Sequence, residues 1–485
     1  MPNSPTSPQA ISHRLETVGQ GHLLRFYDLL DDERKRGLLA QIGSLDLESL
    51  PKLVHDYVIN TPVFALPADV QPAAYYPRNP RDPKHPWDEA GARAAGEAML
   101  RAGRVGAFVV AGGQGSRLGY DGPKGCYPAG AVTGKPLFQV FADALLGAKD
   151  RYGVDVPWYI MTSPLNHAAT VAFFERHGFF GLERGSVMFF PQGVMPSFDI
   201  KTGKILLSDR HEVATNPDGH GGSIRALHVS GATADMRRRG VDTISYFQVD
   251  NPIVNILDPV FLGLHAGAPD SSGQMSSKMV AKASAEEKVG VFCMAGDGAR
   301  KGRVEIVEYS DLPMEYQRQT NPDGSLRFNA GSIAVHIIGV GLVETLATDP
   351  GFALPYHRAE KRIPHVDPTT GEMVEPTANN GVKLERFVFD ALPLCERSIV
   401  YETDRVEEFA PIKNATGADS PESCSRIQTE RAARWLEACG VRVPRGTDGR
   451  PECVLEVSAR TATCARELKG ARLPREIERG ARISL

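Results

Sequence analysis

The spacing of apolar residues changes near residue 105: it predicts mainly helices before this point and alternating strands and helices after it. From about Pro8 to Leu53, apolar residues recur every three or four positions with charged residues between them, which predicts amphipathic helices. Prolines crowd residues 61–86 and indicate a linker or an extended segment that wraps over another surface. A further helix is predicted over residues 87–103, just before the change.

From Val105 onward, short apolar runs alternate with helical patterns. The runs predict strands at residues 105–111, 157–163, 187–193 and 243–254. Helices are predicted at residues 136–153 and 166–178, with Asn166 as an N-cap and Gly178 as a stop. This alternation predicts an α/β fold with a mainly parallel sheet sandwiched by helices.

Ligands of such sheets bind at the carboxyl ends of the strands. The loops that follow three of the predicted strands are therefore candidates for a site: Gly112–Lys124, Gln192 and Asp250–Asn251. After about Phe409 the pattern weakens, apart from a predicted helix over residues 427–440. We expect a helical N-terminal domain and linker over residues 1–100, a catalytic domain over 101–408 and a small C-terminal subdomain over 409–485.

The composition narrows the classes of protein that fit this pattern. The chain has 485 residues and a formal net charge of −4, so no general basic field favours nucleic acid or a membrane surface. No apolar run reaches the roughly 18 to 20 residues that cross a bilayer, and the first residues are expected to form a flexible tail, not a signal peptide. The seven cysteines form no CxxC pair, which favours reduced thiols in a cytoplasmic protein over disulfides or a zinc site.

The most informative stretch is VVAGGQGSRLGYDGPKG, Val109–Gly125, which overlaps the end of a predicted strand. Glycine-rich loops let the backbone approach a base or a phosphate without steric clashes. Arg117 offers a forked donor for phosphate oxygens, and Lys124 offers a compact positive charge. The alternative is a simple loop with incidental charges, but the combined pattern favours phosphate binding.

Three common phosphate-binding loops do not match this sequence. A dinucleotide fingerprint, GxGxxG, would need a glycine at Leu118, which argues against a dinucleotide-binding oxidoreductase. A P-loop would need GxxxxGK and then a hydroxyl residue, but the nearest match, Gly130–Pro136, has the wrong spacing and ends in proline. A kinase loop would need further kinase motifs, and none occurs.

The loop and the motifs that follow it resemble the UTP-dependent sugar-1-phosphate uridylyltransferases of the UDPGP type 1 family. Within that family the chain is most similar to the eukaryotic-type UDP-N-acetylhexosamine pyrophosphorylases. The resemblance covers about residues 100–420 and rests on these further motifs in order: PQG at 191–193, PDGHGG at 217–222, QVDNP at 248–252, VGVF at 289–292, VEYSDL at 307–312, FNAGSIA at 328–334, ERFVFD at 385–390 and EEFAPIKNA at 407–415.

The resemblance implies a Rossmann-like fold of the nucleotide-diphospho-sugar transferase type. It also implies the reaction of UTP with a sugar 1-phosphate, N-acetylglucosamine 1-phosphate first, to give a UDP-sugar and pyrophosphate. The residues that match catalytic positions are Arg117, Lys124 and Lys413. Those that match nucleotide-binding positions are Ala111, Gly112, Gly113, Gln192, Gly219 and Asp250. Asp250 would also bind Mg²⁺, which is inferred from the triphosphate chemistry.

The same resemblance assigns a set of residues to the sugar: His220, Asn251, Gly290, Glu308, Asn329, Gly331, Phe387 and Phe389. For the two phenylalanines core packing is an equal alternative, because RFVFDAL also alternates like a half-buried strand. Three further residues each have a structural interpretation beside the functional one. Gln192 would then be a loop glutamine, Asp250 a turn or cap aspartate, and Lys413 a surface lysine.

Two positions depart from the acetylhexosamine pattern. His220 and Ser332 stand where that group has asparagine, and the sequence GHG matches the UDP-glucose pyrophosphorylases instead. Glucose or galactose 1-phosphate is therefore the alternative substrate. A nucleotide-sugar-binding homologue without activity is the alternative from another class. Such a protein would be expected to have lost one or more of four charged residues, but all four are present: Arg117, Lys124, Asp250 and Lys413.

Overall fold

A computed structural model describes residues 7–61, 66, 69–296, 301–349 and 354–485. The expected N-terminal tail at residues 1–6 and residues 62–65 and 67–68 of the predicted linker lie outside the described residues. The chain forms two compact units. Unit 1 comprises Met1–Ala65, Gln192–Ser223 and Leu354–Val388, and unit 2 comprises Leu66–Pro191, Ile224–Ala353 and Phe389–Leu485. The domain limits expected from the sequence stay a prediction.

The described helices are, in chain order, α1 (Pro8–Thr17), α2 (Asp32–Gly43), α3 (Leu50–Leu53), α4 (Glu89–Arg101), α5 (Leu137–Tyr152), α6 (His167–Arg176), α7 (Gly222–Val229), α8 (Ala232–Arg239), α9 (Pro259–Gly267), α10 (Met314–Gln317), α11 (Val340–Thr348), α12 (Arg405–Glu408) and α13 (Pro421–Ala438). The described strands are β1 (Val70–Pro72), β2 (Val105–Val110), β3 (Trp158–Thr162), β4 (Val187–Pro191), β5 (Val194–Pro196), β6 (Phe198–Asp199), β7 (Leu207–Asp209), β8 (Glu212–Val213), β9 (Thr215–Pro217), β10 (Thr243–Gln248), β11 (Met275–Ala281), β12 (Val291–Ala295), β13 (Val304–Val307), β14 (Ala330–Gly339), β15 (His357–Lys361), β16 (His365–Val366), β17 (Met373–Val374), β18 (Gly381–Glu385), β19 (Val400–Glu402), β20 (Val454–Glu456) and β21 (Arg482–Ser484).

Unit 2 is built on one mixed sheet. Its strands β10, β2, β3 and β4 pair in parallel in that order, as the alternation of strands and helices predicts. These strands are almost continuously apolar because helices cover both faces, and Trp158, Phe138 and Phe247 pack in the core between them. The predicted α/β class is therefore confirmed.

Most pairs in the other half of the sheet are antiparallel, which the sequence pattern does not predict. On the far side of β10, β14 pairs antiparallel with β10, with β11 and with β12, and β12 pairs antiparallel with β13. β14 begins at Ala330 and pairs Thr243 with Gly339, so its first residues extend past the carboxyl end of β10. The start of β14 thus lies at the edge of the sheet where the glycine loop follows β2.

Unit 1 has its own core. The long helical pattern of residues 8–53 becomes α1, α2 and α3, and the first break falls at Gly19, whose φ of 72° ends α1. Leu15, Leu38 and other apolar residues of these helices pack with Phe198 and with residues of β18. β15, β18 and β6 form a three-stranded sheet within this unit.

All seven cysteines belong to unit 2, and none is paired. Five are buried, and Cys439 and Cys464 are half-buried. Burial raises the pKa of Cys126, Cys293 and Cys424 to about 12. Over the described residues, we find no helix with the length and apolar character of a membrane span.

Candidate functional site

The glycine loop leaves β2 at the carboxyl edge of the sheet and folds back on itself. Ala111 is fully buried, and its N–H continues the sheet by donating to the carbonyl of Met161 at 2.7 Å. Gly112 is half-buried and Gly113 is exposed. The N–H of Lys124 donates to the carbonyl of Gly113 at 3.0 Å, so the two ends of the loop are tied together.

Asn166 holds this loop from the next strand–helix connection. It is fully buried, and its side-chain NH₂ donates to the carbonyl of Ala111 at 3.0 Å and to that of Gly113 at 3.3 Å. Its side-chain oxygen accepts the N–H of Ser163 at 2.8 Å. Asn166 does occupy the N-cap position of α6, but its side chain makes no capping bond there and instead supports the loop. The sequence gives no signal for this second role.

Two glycines of the loop are required by packing within the protein. A Cβ on Gly115 would lie 2.7 Å from the Tyr120 ring, and one on Gly125 would overlap the ring of Phe138. At Gly113 the closest protein atom to an added Cβ is Lys124 Cδ at 3.9 Å, an ordinary contact distance. Packing therefore does not demand glycine at the exposed Gly113, whereas close approach of a ligand to the backbone would.

Charged side chains from three separate segments converge beside this loop, and we call Arg117, Lys124, Asp250 and Lys413 the phosphate cluster. Lys124 Nζ lies 3.6 Å from a carboxylate oxygen of Asp250, and the two side chains are only 15% and 13% exposed. Burial lowers the pKa of Lys124, the Asp250 carboxylate opposes that shift, and the positive charges of Lys413 and Arg117 lower the pKa further. The excess of positive charge in this cluster suits a polyanion.

Lys413 is carried by a segment that is bonded to the end of β10. The N–H of Ile412 donates to the carbonyl of Asp250 at 2.8 Å, and the N–H of Ala410 donates to the side-chain oxygen of Asn251 at 3.1 Å. The side chain of Lys413 is 43% exposed, and its Nζ lies 3.9 Å from a carboxylate oxygen of Asp419. The motif QVDNP and the motif PIKNA, which are far apart in sequence, are therefore neighbours.

Four of the residues assigned to the sugar meet at one end of β12, β13 and β14. Gly290 directly precedes β12, Glu308 directly follows β13, and Asn329 and Gly331 stand at the start of β14. A Cβ on Gly290 would lie 3.2 Å from Glu308 Oε1, and Gly331 pairs with the first residue of β12. These residues lie at the same edge of the sheet as the phosphate cluster.

Of the remaining predicted residues, Gln192, Gly219, His220 and Phe387 belong to unit 1. Gln192 is buried, and Gly219 has a φ of +81° with the backbone N of Arg386 only 2.8 Å from where a Cβ would stand. Gly219 thus meets a backbone requirement within its own unit. Phe389, which is also buried, belongs to unit 2.

The His220 ring is neutral and has a defined tautomer. Its Nδ1 accepts the N–H of Val388 at 3.1 Å, which places the ring proton on Nε2. Burial, helped by the nearby His357, lowers the pKa of His220 to about 4. The ring stacks on Phe387 at 5.0 Å, and Phe387 stacks on His357 at 4.1 Å. The ring proton of His220 therefore lies on Nε2.

Comparisons with known proteins match most of the chain. The sequence profile of a family described as UTP–glucose-1-phosphate uridylyltransferase matches residues 93–419. A UDP-N-acetylglucosamine diphosphorylase 2 of Arabidopsis thaliana is 34% identical over 457 residues, 91% of this chain and 87% of the plant protein. A UDP-N-acetylglucosamine pyrophosphorylase of Saccharomyces cerevisiae is 36% identical over 374 residues, 76% of this chain and 75% of the yeast protein. The crystal structure of a uridine diphosphate N-acetylglucosamine pyrophosphorylase from Trypanosoma brucei has a TM-score of 0.79 at 22% identity, and the match covers 98% of this chain and 99% of that one.

Proposed function

Because this chain belongs to the UTP–glucose-1-phosphate uridylyltransferase family, we propose that it joins UTP and a sugar 1-phosphate into a UDP-sugar and releases pyrophosphate. We propose N-acetylglucosamine 1-phosphate as the preferred sugar substrate, since relatives that match over most of the chain bear the names of UDP-N-acetylglucosamine enzymes. The observation that carries the proposal is the phosphate cluster, in which two cations of the glycine loop and one of a distant segment lie near each other at the carboxyl edge of the sheet, with the carboxylate of Asp250 beside Lys124.

The proposed reaction needs no covalent bond to the protein. A phosphate oxygen of the sugar 1-phosphate attacks the α-phosphorus of UTP, and the bond from this phosphorus to the oxygen that bridges to the β-phosphate breaks. The electron pair of that bond leaves with pyrophosphate. The protein has to bring two anions together and neutralise the charge that develops on the leaving group.

The proposed roles follow from where each group stands. Lys124 is nearly buried and would contact the phosphates as a fixed positive charge, while the exposed Arg117 would close on them from the loop. Lys413 would add a third cation from the distant segment. Its Nζ, which lies 3.9 Å from a carboxylate oxygen of Asp419, would move to contact a phosphate oxygen instead. Ala111, Gly112 and Gly113 would present backbone to the uridine.

Asp250 would hold Mg²⁺ together with the UTP phosphates. Among the described residues, no three His, Cys, Asp or Glu side chains group closely enough to hold a metal ion. Mg²⁺ at nucleotide sites needs only one or two carboxylates, because phosphate oxygens and water complete its six ligands. The single carboxylate of Asp250 fits that donor set, and a bound ion would neutralise charge on the phosphate oxygens.

Uracil and sugar would be held by the other assigned residues. The amide of Gln192 and the backbone at Gly219 would contact the uracil. Glu308 and Asn329, which can bond hydroxyl groups, would contact the sugar beside Gly290 and Gly331. His220, Asn251, Phe387 and Phe389 complete the proposed sugar set. Asn251 already uses one lone pair and one N–H on the segment that carries Lys413, which leaves one of each for a ligand.

Glucose or galactose 1-phosphate remains the second candidate because of one specific observation. His220, whose ring proton lies on Nε2, and Ser332 stand where asparagines are expected for an N-acetylated sugar. We also propose a cytoplasmic location, which the seven unpaired cysteines support.

The experiment that tests the function measures pyrophosphate release with UTP, Mg²⁺ and a panel of sugar 1-phosphates. We expect the highest kcat/KM with N-acetylglucosamine 1-phosphate. No release with any sugar would refute the uridylyl-transfer proposal, and release with glucose 1-phosphate alone would refute the preferred substrate. His220→Asn should change the ratio of kcat/KM between these two sugars while the KM for UTP stays the same.

Lys124→Met tests the proposed phosphate contact. We expect kcat to fall by about 10²- to 10³-fold, because one preorganised charge on the transferring phosphates is lost. Lys135→Met is the matched control, since Lys135 also forms a partly buried ion pair, with Asp143 at 2.6 Å, but is not in the phosphate cluster. Near-normal turnover of Lys124→Met would show that this lysine does not contact the phosphates.

A further inference from the structure

A buried group of ions lies directly behind the segment that carries Lys413. Glu408 ends α12, five residues before Lys413, and its side chain is almost fully buried. Its two carboxylate oxygens accept the ammonium of Lys278 at 2.6 Å and 2.7 Å, and Oε1 also accepts the hydroxyl of Thr403 at 3.0 Å. Lys278 stands on β11 and is 0% exposed, so the sheet itself holds Glu408.

The same residue is bonded through its backbone to the end of β10. The side-chain NH₂ of Asn251 donates to the carbonyl of Glu408 at 2.6 Å. Ala410 and Ile412, the next alternate residues, donate to Asn251 and Asp250 as described above. The segment is thus fixed to β11 by the Glu408 side chain and to β10 by its backbone, and Lys413 follows at once.

Lys278 also interacts with a second carboxylate and with two aromatic rings. Its ammonium also lies 2.7 Å from a carboxylate oxygen of Asp258, and the rings of Phe261 and Tyr401 stand 5.4 Å and 5.9 Å away. Asp258, Lys278 and Glu408 therefore form an ion triad, which the proposed chemistry does not use directly. Because well-packed apolar residues often stabilise a core as well as buried ions do, burial of this triad is better explained by the fixed bond directions it imposes.

We propose that Lys278 and Glu408 are positioning residues for the uridylyl transfer: their buried pair fixes the segment that presents Lys413 to the phosphates. The inference rests on the proposed function only for the role of Lys413. The proposed effect on the phosphates passes through that lysine, because Lys124 and Arg117 belong to the glycine loop, which other bonds hold, and Asp250 follows β10, which is paired with a strand on each side. Loss of the pair should therefore reproduce the loss of Lys413 without adding to it.

A double-mutant cycle on pyrophosphate binding tests this idea. The variants are Glu408→Gln, Lys413→Ala and both together, and calorimetric titration with pyrophosphate and Mg²⁺ gives the Kd of each. Glu408→Gln keeps the size of the side chain but removes its charge. We expect Lys413→Ala to raise the Kd about 10-fold, Glu408→Gln to raise it about 5-fold alone, and Glu408→Gln to change it less than about 2-fold when Lys413 is already alanine. A structural role alone would give the same factor in both backgrounds, and that result would overturn the proposal.

Two further variants keep the test valid if Glu408→Gln folds poorly. Thr403→Val removes one hydrogen bond to the carboxylate and preserves shape, so it should show a smaller effect with the same dependence on Lys413. Lys135→Met, which breaks a pair outside the triad, should leave the Kd unchanged. If Lys413→Ala alone leaves the Kd unchanged, the positioning role fails. If the coupling is found but no sugar supports pyrophosphate release, the proposed function fails while the positioning role stands.

Discussion

Asn166 is the residue whose replacement tests most directly how the glycine loop is held. Truncation to alanine removes three hydrogen bonds, two to the carbonyls of Ala111 and Gly113 and one from the N–H of Ser163. Gly113 is exposed, so water can replace its lost bond. Ala111 and Ser163 are buried, and each unsatisfied backbone group costs about 1–3 kcal/mol. We therefore expect the free energy of unfolding to fall by about 4 kcal/mol.

The effect on catalysis should fall on UTP. With both carbonyls released, the loop can shift relative to the sheet, and a displacement on the order of 1 Å can cost about 100-fold in rate. We expect kcat/KM for UTP to fall by about that factor, while the KM for the sugar 1-phosphate changes far less. Pyrophosphate release at varied UTP measures the first quantity, and urea unfolding measures stability.

Two variants decide between support of the loop and general damage. Asn166→Asp retains the acceptor for Ser163 but places an oxygen 3.0 Å and 3.3 Å from two carbonyl oxygens, so it should impair UTP use at least as much as alanine. Asn380→Ala removes another asparagine that bonds both the N–H and the carbonyl of one residue, Ile363, and it should leave kcat/KM for UTP unchanged. A normal kcat/KM for UTP in Asn166→Ala would refute this account of the loop.

Further predictions concern packing and pH. Gly263→Ala should lower the free energy of unfolding by about 3 kcal/mol, because the new Cβ would lie 2.5 Å from the carbonyl carbon of Ala92 in α4. Gly267→Ala, in the same helix with no atom within 4 Å, should be nearly neutral in urea unfolding; equal losses in both would contradict the packing argument. Burial lowers the pKa of His265 to about 4, so the unfolded chain binds more protons between pH 6.5 and 4 and stability should fall by about 3 kcal/mol as the pH drops through that range. His265→Gln should flatten this loss in urea unfolding at pH 7 and pH 5, and an unchanged slope would show that burial of the His265 ring is not the cause.

The parallel half of the sheet could be predicted from sequence because its strands are buried on both faces. Their residues form nearly continuous apolar runs, which differ clearly from the helical spacing around them. The antiparallel half could not, because β11 buries polar side chains. Ser277 and Lys278 are fully buried, Ser277 Oγ lies 2.8 Å from His336 Nδ1, and Lys278 pairs with carboxylates. A hydrophobicity pattern cannot identify polar residues whose partners are remote in sequence.

The candidate site shows the same division. Lys124 lies in the recognisable glycine loop that follows β2, and Asp250 comes just after the apolar run of β10. Both could therefore be selected from the sequence, and the structure brings them within 3.6 Å. Asn166 and Glu408 could not be selected, since their bonds reach residues 55 and 130 positions away. Residues that would contact a ligand leave local patterns, whereas residues that hold them in place are defined only by the fold.

The distribution of the cysteines means that thiol alkylation can report partial unfolding of this protein. Because every cysteine lies in unit 2, an opening confined to unit 1 exposes no thiol of that unit, whereas an opening of unit 2 releases the buried ones. At neutral pH the raised pKa of Cys126 and Cys424 keeps both protonated and slow to alkylate until the surrounding core separates. Pulse alkylation followed by mass spectrometry would then time the opening of unit 2.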